Sequence, residues 1–136
     1  DVEEDPLEAL KAPADLTDIP VNFSFKASRL EEDLIQLAVL ARVPLRSLRF
    51  LDEDSRHRNL IHLVVVALDP DGKYVDGVAR TIQLNLTDPA YAALLRQGLI
   101  SRVNMKLPPG RYKVQVVVRE SVEARMGSTH QLVQVP

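Results

Sequence analysis

The sequence predicts an all-β chain, an antiparallel immunoglobulin- or fibronectin-III-like β-sandwich of about seven to eight strands with one short helix inserted at about 88–97. Three observations carry that prediction. From Val21 onward apolar residues recur mostly with period two, the spacing of strands that bury one face. Clusters of proline, glycine and aspartate interrupt these runs roughly every 8 to 15 residues, as hairpin turns do. No strand–helix–strand alternation of the kind that builds a parallel sheet is visible.

The elements follow in order. Residues 1–20 hold Asp1, Glu3, Glu4, Asp5, Glu8, Asp15 and Asp18 against a single base, Lys11. Leu7 and Leu10 stand at helical spacing, while Pro6, Pro13 and Pro20 confine any helix to a short piece followed by extended chain. The segment reads as an acidic linker or short helix from a preceding domain, and 21–136 as the sandwich. Val21, Phe23 and Phe25 alternate with Asn22, Ser24 and Lys26, a half-buried strand. Ile35, Leu37, Val39, Ala41 and Val43 make a second strand. Leu34, Ala38 and Leu40 make its other face apolar too, which predicts a central position or a strand that continues past the edge of the core. After Pro44, the run Leu45 to Leu51 reads as a third short strand, and Asp52-Glu53-Asp54-Ser55 as a polar turn.

Asn59 to Asp69 is apolar on both faces and predicts the most buried strand. Asp69-Pro70-Asp71-Gly72 then gives a hairpin, because proline presets the first turn dihedral and glycine accepts a positive φ. The return strand runs from Lys73 to Leu86, with Gly77 marking a bulge. Thr87 or Asp88 caps the helix, Pro89 suits its first turn and Gly98 its end. Leu99 to Leu107 and Arg111 to Glu120 flank the turn Pro108-Pro109-Gly110, and a last strand, Thr129 to Val135, follows a loop around Met126-Gly127. The expected core is Phe23, Phe25, Leu37, Val39, Leu63, Val65, Ile82, Leu84, Val114, Val116 and Val118.

Composition narrows the function classes. The chain has 136 residues, 46% of them hydrophobic and 26% charged, too apolar for a disordered tail. It has no cysteine, so disulfides, thiolate metal sites and cysteine nucleophiles are excluded. No apolar run reaches the roughly 18 residues of a membrane span. Beyond residue 20 the chain carries 16 bases and 12 acids without the dense Lys/Arg stripe of a nucleic-acid-binding surface.

Site chemistry is sparse. His57 lies in the charged stretch Ser55-Arg56-His57-Arg58 and reads as solvated surface, and His62 as a core or sheet-face histidine with one hydrogen-bond partner. Neither pairs with the other or with His130 at a metal-ligand spacing. The metal candidates are Asp69 and Asp71, whose D-P-D-G run echoes the start of a calcium loop. Arg80 stands where that loop needs its distal acid, which favours a plain hairpin turn. Asp52, Glu53 and Asp54 form a second acidic turn. No serine-elbow, phosphate-loop or H-E-x-x-H motif occurs, so no catalytic or cofactor-binding residue is assigned and an enzyme is not expected. Two alternatives use residues of other kinds: a carbohydrate-binding module stacking sugar on Tyr74, Tyr91 or Tyr112, and a calcium-stabilised sandwich.

Several stretches read together carry a resemblance. They are Ala14-Asp15-Leu16-Thr17-Asp18-Ile19-Pro20-Val21, Asp71-Gly72-Lys73 and Thr81-Ile82-Gln83-Leu84-Asn85-Leu86, then Arg96-Gln97-Gly98-Leu99 and Leu107-Pro108-Pro109-Gly110-Arg111-Tyr112. Val116-Val117-Val118-Arg119-Glu120, Gly127-Ser128 and Val133-Gln134-Val135-Pro136 complete the set. In this order they resemble the C-terminal β-rich region of the VWFA-related proteins abundant in Acidobacteria, over nearly the whole chain from about Leu7. The resemblance implies an exported protein in which a von Willebrand factor type A domain precedes this region. The adhesion-site motif of that domain is not in this sequence, so no site residue carries over. The expected function is a non-catalytic accessory module with a protein-interaction, adhesion or spacer role. Its partners would be the type A domain and an unidentified protein.

Overall fold

The period-two runs form eight strands and one α-helix in a computed structural model that describes residues 16–136. The elements are β1 (Asn22–Glu31), β2 (Leu34–Val43), β3 (Leu51–Glu53), β4 (Arg56–Leu68), β5 (Tyr74–Leu86), α1 (Asp88–Gln97), β6 (Leu99–Leu107), β7 (Gly110–Glu120) and β8 (Met126–Val135). The smaller sheet has the order β1-β2-β6, and β2 is central, as its two apolar faces require. The larger sheet runs β5-β4-β7-β8, all antiparallel. β3 lies beside the start of β4, pairing Leu51 with Arg58, beyond the point where β7 ends at the Ile61↔Glu120 pair. The two sheets face each other as a β-sandwich, and Leu37, Val39, Leu63, Val65, Val103, Met105, Val114, Val116 and Val118 fill the space between them.

The chain crosses between the sheets at three points, the first through residues 44–50 from β2 to β3. α1 carries the chain from β5 in the larger sheet to β6 in the smaller one. Thr87 Oγ1 accepts the Ala90 N–H at 3.3 Å at its start, and the Gly98 N–H reaches Leu94 O at its end. The Pro108-Pro109-Gly110 turn is the third crossing, because β6 and β7 belong to different sheets. Just past it the Tyr112 side chain turns inward and its hydroxyl donates to Pro108 O at 2.6 Å, the tyrosine corner of immunoglobulin-like sandwiches. Burial and the nearby Asp69 charge both raise the Tyr112 pKa above 10.0, so the hydroxyl stays a donor.

Five expectations are corrected. Phe25 points toward the core opposite Val39 but is 40% exposed, because β1 is an edge strand and water reaches its side chains from the open flank. Ile82, on the edge strand β5, is only partly buried for the same reason. Leu45 to Leu51 is not one strand. Leu45–Ser47 form a 3-10 turn closed by Ser47 N–H to Pro44 O and Leu48 N–H to Leu45 O, both 3.0 Å. Leu45 and Leu48 are buried three residues apart, the 3-10 period rather than two. The last strand begins at Met126 instead of Thr129. Residues 16–19 run along its start, with Ile19 N–H to Met126 O at 3.2 Å and Ser128 N–H to Leu16 O at 2.9 Å. A Cβ on Gly127 would stand 1.9 Å from Ile19 O, so only glycine permits this approach. Finally, the bulge in β5 falls at Val75, left over between the Leu68↔Tyr74 and Ala67↔Asp76 pairs, two residues before Gly77.

Of the acidic segment 1–20, residues 1–15 lie outside the described residues, including the expected short helix at Leu7 and Leu10. Ile19, in its described part, is fully buried in the sandwich core.

Removing the tyrosine-corner hydroxyl tests the crossing. Tyr112→Phe leaves the Pro108 carbonyl without its donor and is expected to lower stability by about 1 kcal/mol. The check is a lower urea midpoint with an unchanged denaturant slope.

Candidate functional site

The β4–β5 turn holds Asp69 and Asp71, the metal candidates. Asp69 Oδ1 accepts the N–H groups of Asp71 and Lys73, both at 2.9 Å, while its backbone carbonyl takes the Gly72 N–H at 2.9 Å. The carboxylate is therefore aimed into its own turn, and Gly72 takes the positive φ of 83° that the turn requires. Asp71 is exposed. Among the described residues no group of three or more histidine, aspartate or glutamate side chains is placed to hold a metal ion.

His57 is not in a solvated turn, which corrects the sequence reading. It opens β4 opposite Asp52 of β3, and the intervening Asp54 and Ser55 make the tight hairpin with φ of 52° and 62°. Its Nδ1 lies 2.7 Å from Asp52 Oδ1 and its Nε2 lies 2.7 Å from Asp88 Oδ1 at the start of α1. The imidazole stacks on Tyr91 with ring centroids 4.2 Å apart, and Phe50 meets Tyr91 edge-on at 5.3 Å. The bond to Asp88, and then the bond to Asp52, raise the His57 pKa above 6.5. In its protonated form the ring donates from both nitrogens to carboxylates and offers no lone pair to a metal or a substrate proton. His57 instead fastens the first turn of α1 to the β3–β4 hairpin. The legible signal was an acid, Asp52, placed to face the histidine across a tight turn.

A second polar cluster, which sequence reading missed, lies at the same end of the sandwich. Glu120 is 0% exposed. Its Oε1 accepts from Asn59 Nδ2 at 3.0 Å, and its Oε2 takes the N–H groups of Glu123 at 2.9 Å and Arg125 at 3.2 Å. The Arg125 Nε stands 3.7 Å from Oε2, and its Nη2 donates to Ser47 O. Asn59 also donates to Arg49 O at 2.6 Å and accepts the N–H groups of Leu60 at 2.7 Å and Ser121 at 3.2 Å. One carboxylate and one amide thus close the β7–β8 loop and bind it to β4 and to the loop before β3. The signal was present: the inward phase of Val114, Val116 and Val118 continues to Glu120, an acid where a core residue is due.

The remaining candidates are placed apart. His62 faces outward, with Thr81 Oγ1 3.3 Å from its Nδ1. Tyr112 is buried, Tyr91 lies under His57, and Tyr74 is 64% exposed, so the three tyrosines share no stacking surface. A groove of about 650 Å³ runs between the β4–β5 turn and β8, with Asp69, Tyr112 and Leu132 in its lining and the cations Arg111 and Lys113 beside them.

Two outcomes follow from these clusters. Glu120→Ala strips the buried amide and two backbone N–H groups of their acceptor, and a loss of about 3 kcal/mol is expected in equilibrium unfolding. His57 has a folded-state pKa above its unfolded value, so its contribution is fully present below about pH 6.5 and disappears as pH rises through the folded value. Unfolding midpoints taken from pH 5 to pH 9 should therefore fall over the upper part of that range, and His57→Gln should flatten the fall.

No protein-family model matches the chain, and no curated protein matches it. Among solved structures it is similar to part of the β-glucuronidase of Bacteroides uniformis, at 13% identity and a TM-score of 0.52. The match covers 83% of this chain and 13% of that one, so the chain spans a small fraction of the enzyme's length. At this identity the likeness is one of fold: a β-sandwich of this kind is found within a larger enzyme.

Proposed function

We propose that the chain is a non-catalytic accessory β-sandwich module of an exported protein, with a protein-interaction, adhesion or spacer role. A von Willebrand factor type A domain precedes it in this reading, as the resemblance to the VWFA-related proteins implies. The observation that carries the proposal is where the chemistry-bearing side chains are engaged. Both nitrogens of His57, both oxygens of Glu120 and the inner oxygen of Asp69 are taken up in holding turns and loops. The surface that favours a protein partner is β8. Among the described residues only the segment 16–19 pairs along its outer edge, at Met126 to Ser128. Leu132 further along is 82% exposed, and an added strand suits such an edge. The carbohydrate-binding reading is left with Tyr74, the one exposed tyrosine of the three, and the calcium reading with Asp71.

The test is to follow the native polypeptide through cell fractions, with N-terminal sequencing and intact mass. The expected result is an exported polypeptide larger than 15.2 kDa whose upstream peptides come from a type A domain. A cytoplasmic polypeptide without that domain, or turnover by the purified chain, overturns the proposal.

A further inference from the structure

The smaller sheet presents an open outer face. Its inward residues Leu37, Val39, Val103 and Met105 are sealed in the core, and the strand register turns the residues between them outward. The outward positions of β1, β2 and β6 include Lys26, Arg42, Arg102 and Lys106, all exposed, and no acid. Leu40 and Ile100, 42% and 52% exposed, stand opposite Arg102 and Arg42 respectively. Beyond Arg42 the face runs into a groove of about 330 Å³ lined by Arg42, Arg46, Arg96 and Leu95. We propose that this groove and the adjoining sheet face dock an acidic segment with apolar side chains from a partner protein, the three arginines taking its carboxylates. The proposal rests on the reading of the chain as an interaction module, and gives it a surface distinct from the β8 edge.

Three observations select this occupant. The first is that one arginine is fixed in place. Arg42 Nε donates to Gln97 O at 3.1 Å, and a Cβ on Gly98 would stand 3.0 Å from that nitrogen. Gly98, whose φ of 83° already suits a residue without a Cβ, therefore also seats the guanidinium across the end of α1. A planar fork held in this way meets a carboxylate at little entropic cost. The second is missing counter-charge. Arg49 pairs with Glu123, Arg58 with Glu53 and Arg125 with Glu120. Among the described residues Arg46, Arg96 and Arg102 have no carboxylate partner. Asp76 of β5 stands at the far flank, accepting the Lys106 N–H at 3.0 Å, and Glu31, Glu32 and Asp33 lie at the β1–β2 turn, the end away from Arg42. The third is the mixture of side chains. Arginine around exposed aliphatics is the make-up of a protein interface. Neither the outward positions nor the groove has an aromatic ring on which a base could stack. Leu40 and Ile100 lie on the flat of the sheet between longer cationic side chains, unlike residues that project into a bilayer. Three strands span about 10 Å, close to the diameter of one helix, so a single segment covers the face.

The test uses the full chain and a fluorescent synthetic peptide of repeated Glu-Glu-Leu units, with a Gln-Gln-Leu peptide as its neutral match. Anisotropy should show saturable binding of the acidic peptide, about tenfold or more tighter than the neutral one and weakening with added salt. Arg46→Glu/Arg96→Glu should weaken it about tenfold or more while the unfolding midpoint is kept. Arg111→Glu/Lys113→Glu, the same charge change at the β8 groove, should weaken it less. In NMR spectra the peptide should shift the Nε–H signals of Arg42, Arg46 and Arg96. Equal affinity for the two peptides, or no saturable binding, overturns the proposal and leaves the interaction reading to the β8 edge. So does binding that Arg111→Glu/Lys113→Glu removes and Arg46→Glu/Arg96→Glu does not. Tighter binding of duplex DNA or of phosphatidylglycerol vesicles at the same arginines overturns it as well, giving the face to nucleic acid or membrane.

Discussion

Antiparallel pairing of β4 with β7, from Ile61↔Glu120 to Leu68↔Lys113, is the contact on which the rest of the larger sheet is assembled. Each of these strands has a neighbour on both sides, β5 beyond β4 and β8 beyond β7. Their inward residues Leu63, Val65, Val116 and Val118 lie opposite Leu37, Val39 and Met105 of the smaller sheet in one core. Backbone groups in such a pair are shielded from water, so every one must be satisfied by the ladder, and a shift of one residue would turn each valine to the wrong face. The register is specified twice over because the outer positions Val64, Val66 and Val117 are buried as well.

The ends of that ladder are polar, and there the chain uses hydrogen bonds where it elsewhere uses packing. At one end Asn59 and Glu120 occupy inward positions beside Ile61 and satisfy the loop N–H groups that a hydrophobic pair would leave unbonded. A buried carboxylate is tolerated only when its lone pairs are taken up by donors, and the β7–β8 loop supplies them from its own backbone. At the other end Tyr112 spans the crossing between sheets by bonding Pro108. Loop closure at both ends is thus built into the two strands that can least change register.

His57 extends the same logic to the helix. α1 has no fully buried side chain, so apolar burial alone secures it weakly, and an imidazole hydrogen-bonded to both Asp52 and Asp88 supplies a directional attachment. The charge pattern of the larger sheet is of a different kind. Acids are missing from its outward positions on β4, β7 and β8, while they crowd the first fifteen residues of the same chain. That separation, rather than any cluster of reactive groups, is the least ordinary feature of the sequence once it is placed on the fold.

The sequence by itself determined the sandwich class, the central place of β2, the β4–β5 hairpin, the limits of α1 and most of the core, since period-two burial and turn chemistry are local and survive in one dimension. It misplaced Phe25, because whether an inward residue is sealed depends on whether its strand lies at an edge. It misread Leu45 to Leu51, where a three-residue period passed for a two-residue one, and it took Met126-Gly127 for a loop, although these residues pair with β7 on one side and with a segment more than a hundred residues away on the other. For His57 and Glu120 a local signal was legible, Asp52 across a tight turn and an acid in the inward phase of β7, but their long-range partners were not. Only the tertiary structure brings Asp88 to His57 and Asn59 to Glu120, since a long-range hydrogen bond is fixed by strand pairing and sheet crossing and leaves no periodic trace in the chain.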